Sequence, residues 1–344
     1  MKKSRILLCV LVLISCVFTA CASQPQETPA PSTTYGQQNQ APVVTQLEIV
    51  SFPYKTNYII GEDFDPTGLV INATMSDGTV EENVEWTVEE NLMLVSTTTA
   101  VKAQFGGKTV LVPVLVRHAG NVDAYAVDSV PTLEDSPLKG KTFFWLGSSV
   151  TLGSSALNES MADYIAKKHD CMCIKKAVSG TTLANNSDNS YVARFDAYLA
   201  SEEKAEHVDA VIVQLSTNDQ LKVDTFGVVT AEDVRDPSEF DTTTTFGAIE
   251  YIIATAKQTW DCPVLFYSNP PTGYESYMTM VLGLYDIAAK WDVEVVDMFM
   301  DLNFNSIPTE EQRKLWMVDK IHPSKAGYRD WWLPKFEEAL MAQE

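Results

Sequence analysis

Two short motifs in the C-terminal part of the sequence contain side chains suited to acyl transfer. Residues 147–149 read Gly-Ser-Ser, and residues 319–322 read Asp-Lys-Ile-His. The spacing in the second motif lets the carboxylate of Asp319 hold one imidazole nitrogen of His322, while the other nitrogen faces outward as a base. Of the four histidines in the chain, only His322 has an acid three residues before it. We therefore expect His322 to be a general base and a serine of the Gly-Ser-Ser motif to be its nucleophile.

Two further motifs offer donors for a developing negative charge. Residues 178–181 read Val-Ser-Gly-Thr, and the backbone N–H of Gly180 can approach a ligand because glycine has no side chain in the way. Residues 216–219 read Ser-Thr-Asn-Asp, and the side-chain amide of Asn218 can donate to an oxyanion. Together with the N–H of the nucleophilic serine, these groups predict an oxyanion hole.

The elements that must bring these motifs together are also visible in the sequence. Strands are predicted at 142–146, 171–177, 208–215, 263–268 and 293–298, and helices at 161–168, 246–260 and 277–291. This alternation predicts an α/β domain with a parallel sheet over residues 137–344. The first three motifs follow the first three strands and the last motif follows the fifth, so all four lie toward the sheet edge where ligands bind.

At these residues the domain resembles the SGNH (GDSL-type) hydrolases, a family of esterases and lipases. The resemblance implies a flavodoxin-like, three-layer α/β/α fold. It implies that Ser149 is the nucleophile, His322 the general base and Asp319 the acid that orients it. It further implies that the N–H groups of Ser149 and Gly180 and the amide of Asn218 form the oxyanion hole.

The sequence departs from the family pattern at two positions. Ser148 stands where the family usually has Asp, and Ser216 stands where it usually has Gly. Neither position supplies the nucleophile, the base or an oxyanion donor, so the departures concern the subfamily and the pocket more than the chemistry. The mechanism needs no metal and no organic cofactor, and four histidines do not favour a multi-histidine metal site. An inactive member with a retained fold is the alternative.

Residues 45–118 differ in character from the C-terminal domain. Polar and apolar residues alternate at 69–75 and at 84–88, and Asp77-Gly78 is typical of a hairpin turn. These features predict a small β-sandwich. The sequence KTNYIIGEDFDPTGL at 55–69, followed by SDGT at 76–79, resembles the bacterial Ig-like domains of surface proteins. The resemblance implies a spacer, or a module that contacts cell wall or glycan.

The N-terminal residues are typical of an export signal. Residues 1–20 have a positive start and an apolar run too short to span a bilayer, and they end before Cys21. Small residues before a cysteine resemble a bacterial lipobox, so we expect Cys21 to carry a lipid anchor that holds the protein at the bacterial cell surface; Cys16 and an ordinary, cleaved signal are the alternatives. Residues 21–44 then form a disordered tether, and 119–136 connect the two domains.

The charge and one insertion bear on the substrate. Asp and Glu outnumber Lys and Arg by 46 to 25, and the net charge of −21 disfavours a nucleic-acid partner. The insertion at 220–245 is polar, whereas a lipase that opens on a bilayer more often carries an apolar lid. We therefore expect an esterase that removes acetyl groups from carbohydrate. The alternatives are a lipid esterase, lysophospholipase or thioesterase, and a surface protein that binds glycan without turnover.

Overall fold

The computed structural model of the chain describes residues 41–88, 94–95 and 97–343. The predicted signal peptide, the lipidation candidate Cys21 and the predicted tether up to residue 40 lie outside the described residues. Within the described ranges, no helix is both long and apolar enough to cross a membrane.

The first part of the described chain is a small β-structure with one apolar core. Its strands are β1 (Val44–Ser51), β2 (Asn57–Ile59), β3 (Val70–Met75), β4 (Val80–Glu81), β5 (Ala100–Phe105), β6 (Lys108–Pro113) and β7 (Leu115–Arg117). Antiparallel pairs join β1 to β3, β3 to β4 and β5 to β6, and β2 runs parallel to β7. Alternate side chains such as Ile71 and Ala73 are fully buried in the core, which is why this stretch forms a sandwich.

The hairpin predicted at Asp77-Gly78 is present, and the strand predicted at 84–88 is not. The Asp77 carboxylate accepts hydrogen bonds from the N–H and hydroxyl of Thr79, at 3.0 and 2.7 Å, which closes the turn between β3 and β4. Asn83 then adopts a left-handed conformation, with φ of 48°. The N–H of Val84 still donates to the carbonyl of Ile71 at 2.9 Å, but Thr87 makes only an isolated bridge to Gln104, so residues 84–88 form no regular strand.

The C-terminal part is an α/β domain built on a five-stranded parallel sheet. Its strands are β8 (Thr142–Gly147), β9 (Met172–Ala177), β10 (Ala210–Gln214), β11 (Val264–Tyr267) and β12 (Glu294–Val296). The strand order is β9-β8-β10-β11-β12, and every pair is parallel. This order is flavodoxin-like, and the direction of winding reverses between β8 and β10. The predicted fold class is confirmed.

Helices cover both faces of this sheet. They are α1 (Ser149–Leu152), α2 (Met161–His169), α3 (Tyr191–Leu199), α4 (Asp219–Lys222), α5 (Thr245–Trp260), α6 (Glu275–Trp291), α7 (Leu302–Ser306), α8 (Glu310–Trp316), α9 (Lys325–Gly327) and α10 (Leu333–Met341), with a π-helical turn at Tyr328–Trp332. Side chains alternate along β8: Phe144 and Leu146 pack with α3, α5 and α6, whereas Phe143 and Trp145 pack with α2 and α10. Both faces of the sheet are therefore covered by apolar side chains, and polar groups concentrate at its ends.

Candidate active site

The turn that carries Ser149 lies at the carboxyl end of β8, beside the point where the winding reverses. Ser149 is the first residue of α1 and is 6% exposed. Gly147 is required just before it, because a Cβ at that position would collide with the Thr151 side chain. The helix stops after one turn at Gly153, whose φ is 79°. The result is a sharp strand-to-helix turn with the serine at its apex.

A buried glutamine holds this turn in place. Gln214 ends β10, and its Oε1 accepts hydrogen bonds of 2.9 Å from the N–H of Ser148 and from the hydroxyl of Thr151. The Thr151 hydroxyl in turn lies 2.6 Å from the hydroxyl of Tyr267. Sequence reasoning missed Gln214, although a polar side chain ending the otherwise apolar run of β10 was a usable signal. Ser148, one of the departures from the family pattern, is thus a buried donor within this network.

The structure brings Ser149, His322 and Asp319 into one hydrogen-bonded chain. The Oγ of Ser149 lies 2.8 Å from Nε2 of His322, and Nδ1 of His322 lies 2.8 Å from Oδ2 of Asp319. A carboxylate only accepts hydrogen bonds, so Nδ1 carries the proton and Nε2 is left to accept from the serine hydroxyl. The arrangement is that of a nucleophile, a base and an acid that fixes the tautomer of the base.

The Asp319 carboxylate is stabilised as an anion. Partial burial alone opposes its ionisation, but hydrogen bonds from the His322 side chain and from the backbone N–H groups of Ile321 and His322 outweigh burial and lower its pKa to about 2. Oδ1 accepts those two backbone bonds at 2.7 and 2.8 Å. The acid therefore remains charged at every pH at which the imidazole can act as a base.

The turn at 319–322 is also held from outside. The N–H of Val318 donates to the carbonyl of His322 at 2.9 Å, which closes the turn on itself. Asn269, fully buried just beyond β11, donates from Nδ2 to the carbonyl of Ile321 at 2.8 Å. Sequence reasoning missed Asn269, which follows the fourth strand as Asn218 follows the third. Its contact ties the base to the sheet.

Gly180 and Asn218, which are predicted to donate to the oxyanion together with Ser149, lie on two loops that are hydrogen-bonded to each other. Gly180 follows β9 with a φ of 78°, which favours glycine, and Asn218 precedes α4 after β10. The Nδ2 of Asn218 donates to the carbonyl of Thr181 at 2.9 Å, and the ammonium of Lys222 donates to the carbonyl of Gly180 at 2.6 Å. One N–H of the Asn218 amide is thus committed to the loop that carries Gly180.

Two charged side chains hold the loop after β9 by hydrogen bonds. The buried carboxylate of Asp219 accepts from the N–H groups of Leu183 and Ala184 at 2.8 and 3.1 Å, and burial raises its pKa. Arg194 donates to the carbonyl of Gly147 at 2.9 Å and to the hydroxyl of Thr181 at 3.1 Å. Arg194 therefore links the end of β8, just before the nucleophile, to the loop after β9.

A cavity of about 530 Å³ opens beside Asp319. It is lined by Pro270, Pro271, Thr272, Gly273, Glu310, Arg313, Lys314, Met317, Asp319 and Lys320. Glu310 and Lys314 of the lining pair with each other at 2.8 Å. The lining thus combines proline and methionine side chains with charged groups, and such a lining can contact a molecule that has both apolar faces and polar groups.

The insertion at 220–245 does not contribute to this cavity lining. Phe240 is buried in the core, and Thr230 is held by the buried ion pair between Lys290 and Glu250, whose charged atoms lie 2.6 Å apart. The insertion is therefore attached to α5 and α6. Its apolar side chains are not all inside, because Leu221 is 69% exposed and Val228 is 79% exposed.

Comparison with known sequences identifies the family. Residues 145–329, more than half of the chain, match the sequence model of the GDSL-like lipase/acylhydrolase family. The chain belongs to this family. It is therefore an ester hydrolase of the GDSL type. Residues 52–110 match the bacterial Ig-like domain (group 3), so an Ig-like domain precedes the esterase domain, as the sequence predicted.

Solved structures similar to the esterase have low sequence identity to it. A protein from Lactobacillus plantarum is 20% identical, with a TM-score of 0.48 over 60% of this chain and 99% of its own. An acetyl-xylooligosaccharide esterase variant from Geobacillus is 13% identical, with a TM-score of 0.40 over 59% of this chain and 94% of its own. Among curated proteins, no relative matches the chain.

Proposed function

We propose that this GDSL-type esterase removes acetyl groups from carbohydrate through an acyl-enzyme on Ser149. The observation that carries the mechanism is the continuous hydrogen-bond chain from Ser149 through His322 to Asp319, with links of 2.8 Å. The nucleophile and its base are already within the distance that proton transfer requires.

The reaction then runs in two halves. The Oγ of Ser149 attacks the ester carbonyl as Nε2 of His322 takes its proton, and the charge on Asp319 stabilises the imidazolium. The tetrahedral oxyanion is stabilised by the N–H groups of Ser149 and Gly180 and by the amide of Asn218. The imidazolium protonates the departing alcohol. Water then attacks the acyl-enzyme with His322 again as base, releasing the acid and restoring the serine.

Two features of the molecule support a carbohydrate as the alcohol part of the ester. The cavity beside Asp319 offers the flat faces of Pro270 and Pro271 together with the charged groups of Glu310 and Lys320. Charged groups can bond sugar hydroxyls while apolar surfaces cover the C–H faces of the ring. The Ig-like domain and the predicted export signal fit a protein that meets polymers outside the cell.

A lipid or thioester substrate is the second candidate, and one observation favours it. Leu221 and Val228 present apolar side chains to solvent in the insertion that follows Asn218. Exposed apolar side chains can contact the acyl chain of a lipid or thioester. This candidate predicts a preference for long acyl groups, whereas deacetylation predicts a preference for acetate.

Initial rates of the purified protein on p-nitrophenyl acetate and p-nitrophenyl octanoate test both candidates. Ser149→Ala is the blank, and Ser201→Ala is the control, since the Ser201 hydroxyl bonds the carbonyl of Tyr198 at 2.7 Å after α3, outside the catalytic chain. We expect the rate to depend on Ser149 and to favour acetate. A Ser149-dependent preference for octanoate would instead support the lipid or thioester candidate. Absence of any Ser149-dependent rate, together with glycan binding, would replace both with a binding protein.

We further propose that the esterase is exported and held at the bacterial surface by lipid on Cys21, with the Ig-like domain as a spacer. The support is the apolar run at 6–18 followed by small residues and a cysteine. Cys21→Ser should release the protein from the membrane fraction and abolish incorporation of labelled fatty acid, whereas Cys16→Ser should do neither. The reverse pattern would assign the lipid to Cys16. Absence of labelling in the wild-type protein would indicate an ordinary signal peptide.

A further inference from the structure

The connector between the two domains contacts both segments that carry the catalytic chain. It contains three short 3-10 turns, at Ala119–Asn121, Asp123–Tyr125 and Val127–Ser129. In the first of these turns, Asn121 is only 5% exposed. A polar side chain so deeply buried in a connecting segment must have hydrogen-bond partners, and the identity of its partners is informative.

Asn121 uses both ends of its side-chain amide to join two separate parts of the esterase domain. Its Nδ2 donates to the carbonyl of Ser155 at 2.7 Å, and its Oδ1 accepts from the buried N–H of Lys325 at 2.9 Å. Ser155 lies in the turn directly after α1, the helix that Ser149 begins. Lys325 is the first residue of α9, three residues after His322.

Only short stretches of chain separate the two partners of Asn121 from Ser149 and His322, and hydrogen bonds hold both stretches. The N–H of Gly153 donates to the carbonyl of Ser149 at 3.0 Å, and the N–H of Ala156 donates to the carbonyl of Gly153 at 2.8 Å, so the turn with Ser155 continues the turn with Ser149. On the other side, Lys325 follows His322 by only three residues, and the N–H of Ser324 between them anchors this segment to the carbonyl of Trp316 at 2.8 Å. Asn121 is therefore bonded to both segments within six residues of Ser149 or three of His322.

A second contact braces the same two segments. The carboxylate of Glu159, which follows the Ser155 turn, accepts from the N–H of Val127 in the connector at 2.7 Å and pairs with the ammonium of Lys325. The connector also fits closely against the base segment, because a Cβ at Gly120 would collide with the carbonyl of Leu315 and the hydroxyl of Ser324. The connector is thus packed into the esterase domain at this point.

We propose that Asn121 is a positioning residue that sets the separation between the Ser149 hydroxyl and the His322 imidazole. The proposal rests on the proposed acyl-enzyme mechanism. Proton transfer from serine to histidine depends steeply on their separation, and a displacement of about 1 Å can cost about 100-fold in rate. A side chain that joins the two segments outside the sheet restricts that displacement. Asn121 is buried and does not line the cavity beside Asp319, so its removal should act on the chemical step and not on binding.

The test compares Asn121→Ala and Asn121→Asp with Thr132→Ala in the full protein. Thr132 is the matched control, since its hydroxyl bonds the same connector to the carbonyl of Lys167 at 2.9 Å, at the end of α2 and away from both catalytic segments. We expect kcat on p-nitrophenyl acetate to fall about 10-fold to 100-fold in Asn121→Ala, with KM within about twofold. Thr132→Ala should keep the wild-type kcat with a smaller loss of thermal stability, because Thr132 is exposed and loses a single hydrogen bond.

If Asn121→Ala does not fold, Asn121→Asp replaces it in the experiment. It is nearly isosteric and keeps the acceptor for Lys325, but it loses the donor to Ser155, so kcat should fall with KM little changed. A folded variant of either kind with wild-type kcat, or an equal loss of kcat in Thr132→Ala, would overturn the proposal and leave Asn121 as a structural anchor. If the wild-type protein itself shows no Ser149-dependent hydrolysis, it is the proposed function that fails.

Discussion

The base side and the oxyanion side of the active site are held by contacts of different range along the chain. On the base side, Asp319 accepts hydrogen bonds from residues two and three positions further on, within a single turn. On the oxyanion side, the Asn218 amide reaches a carbonyl 37 residues away, and Lys222 reaches the carbonyl of Gly180, 42 residues away. The bonds that orient the His322 imidazole are thus local, although Asn269 also ties the turn to the end of β11, whereas the contacts of Asn218 and Lys222 exist only after β8, β9 and β10 have assembled.

This difference predicts how each side responds to substitution. Within the turn at 319–322, each hydrogen bond serves the orientation of one imidazole, so removal of the acid should affect chemistry strongly and stability weakly. On the oxyanion side, Asn218 and Lys222 each bind a carbonyl of the loop at 178–181, which carries the predicted oxyanion donor Gly180. Substitutions there should combine lost charge stabilisation with a displaced loop, and matched controls on the same loop separate the two effects.

Asp319→Asn should have the largest effect of the substitutions that compare the two sides. The amide cannot enforce the Nδ1–H tautomer of His322, and we expect kcat to fall about 10⁴-fold, as loss of a triad acid does elsewhere. Asp301→Asn is the control, because Asp301 is also an aspartate that accepts a backbone bond three residues on, but at the start of α7. Steady-state rates on p-nitrophenyl acetate measure both.

The pH dependence sharpens this prediction. Because hydrogen bonds lower the pKa of Asp319 to about 2, the carboxylate stays charged above about pH 4. Protonation of Asp319 should therefore cause no loss of wild-type rate between neutral pH and about pH 4. A wild-type kcat in Asp319→Asn would show that the turn orients His322 without the negative charge of Asp319. It would contradict the role that we propose for this acid.

Asn218→Ala should have the next largest effect. Removing one oxyanion donor costs about 10²–10³ in kcat in enzymes of this kind, with little change in KM. The matched control is Asn186→Ala, since the Asn186 side chain accepts from the hydroxyl of Thr182 on the same loop at 2.6 Å but has no proposed role in charge stabilisation. An equal loss in both variants would mean that Asn218 acts by holding the loop, and that the charge is stabilised by backbone N–H groups alone.

The same distinction between local and distant contacts explains what the sequence could predict. The strand predicted at 142–146 is observed at Thr142–Gly147, and the helix predicted at 246–260 is observed at Thr245–Trp260, because hydrophobic periodicity records which face of each element is buried. The spacing of Asp319 and His322 is likewise local. In contrast, the strand predicted at 84–88 was wrong, since alternation does not reveal the bend at Asn83.

The residues that sequence reasoning missed all act across the fold. Gln214 bonds residues 63 and 66 positions away, and Asn269 bonds the carbonyl of Ile321, 52 positions away. Asn121 bonds a residue 204 positions away. Each is a polar side chain at the end of a strand or in a connector, where a single sequence shows that a hydrogen bond is needed but not which group receives it. The positioning of a catalytic chain is therefore less predictable than its members.

Lys222→Met should have the smallest effect of the three. The ammonium donates to the carbonyl of Gly180 at 2.6 Å from an exposed position, and one exposed hydrogen bond of a charged group contributes about 1 kcal/mol or less. We expect kcat to fall about threefold to tenfold, because the Gly180 peptide is less firmly oriented while Asn218 still holds the loop. When Lys222→Met is combined with Asn218→Ala, the loss of kcat should be smaller than the product of the two single losses, since both side chains hold the same loop.

Lys176→Met is the matched control for this last comparison. Lys176 is also a partly exposed lysine near the end of β9, but its ammonium pairs with Glu203 at 3.4 Å and lies over the ring of Tyr198. It should leave kcat unchanged, and Lys222→Arg should retain most of the wild-type rate because a guanidinium can still donate to the Gly180 carbonyl. Strictly multiplicative losses in the double variant would show that Lys222 and Asn218 act independently, and that long-range contacts on the oxyanion side do not form a single support.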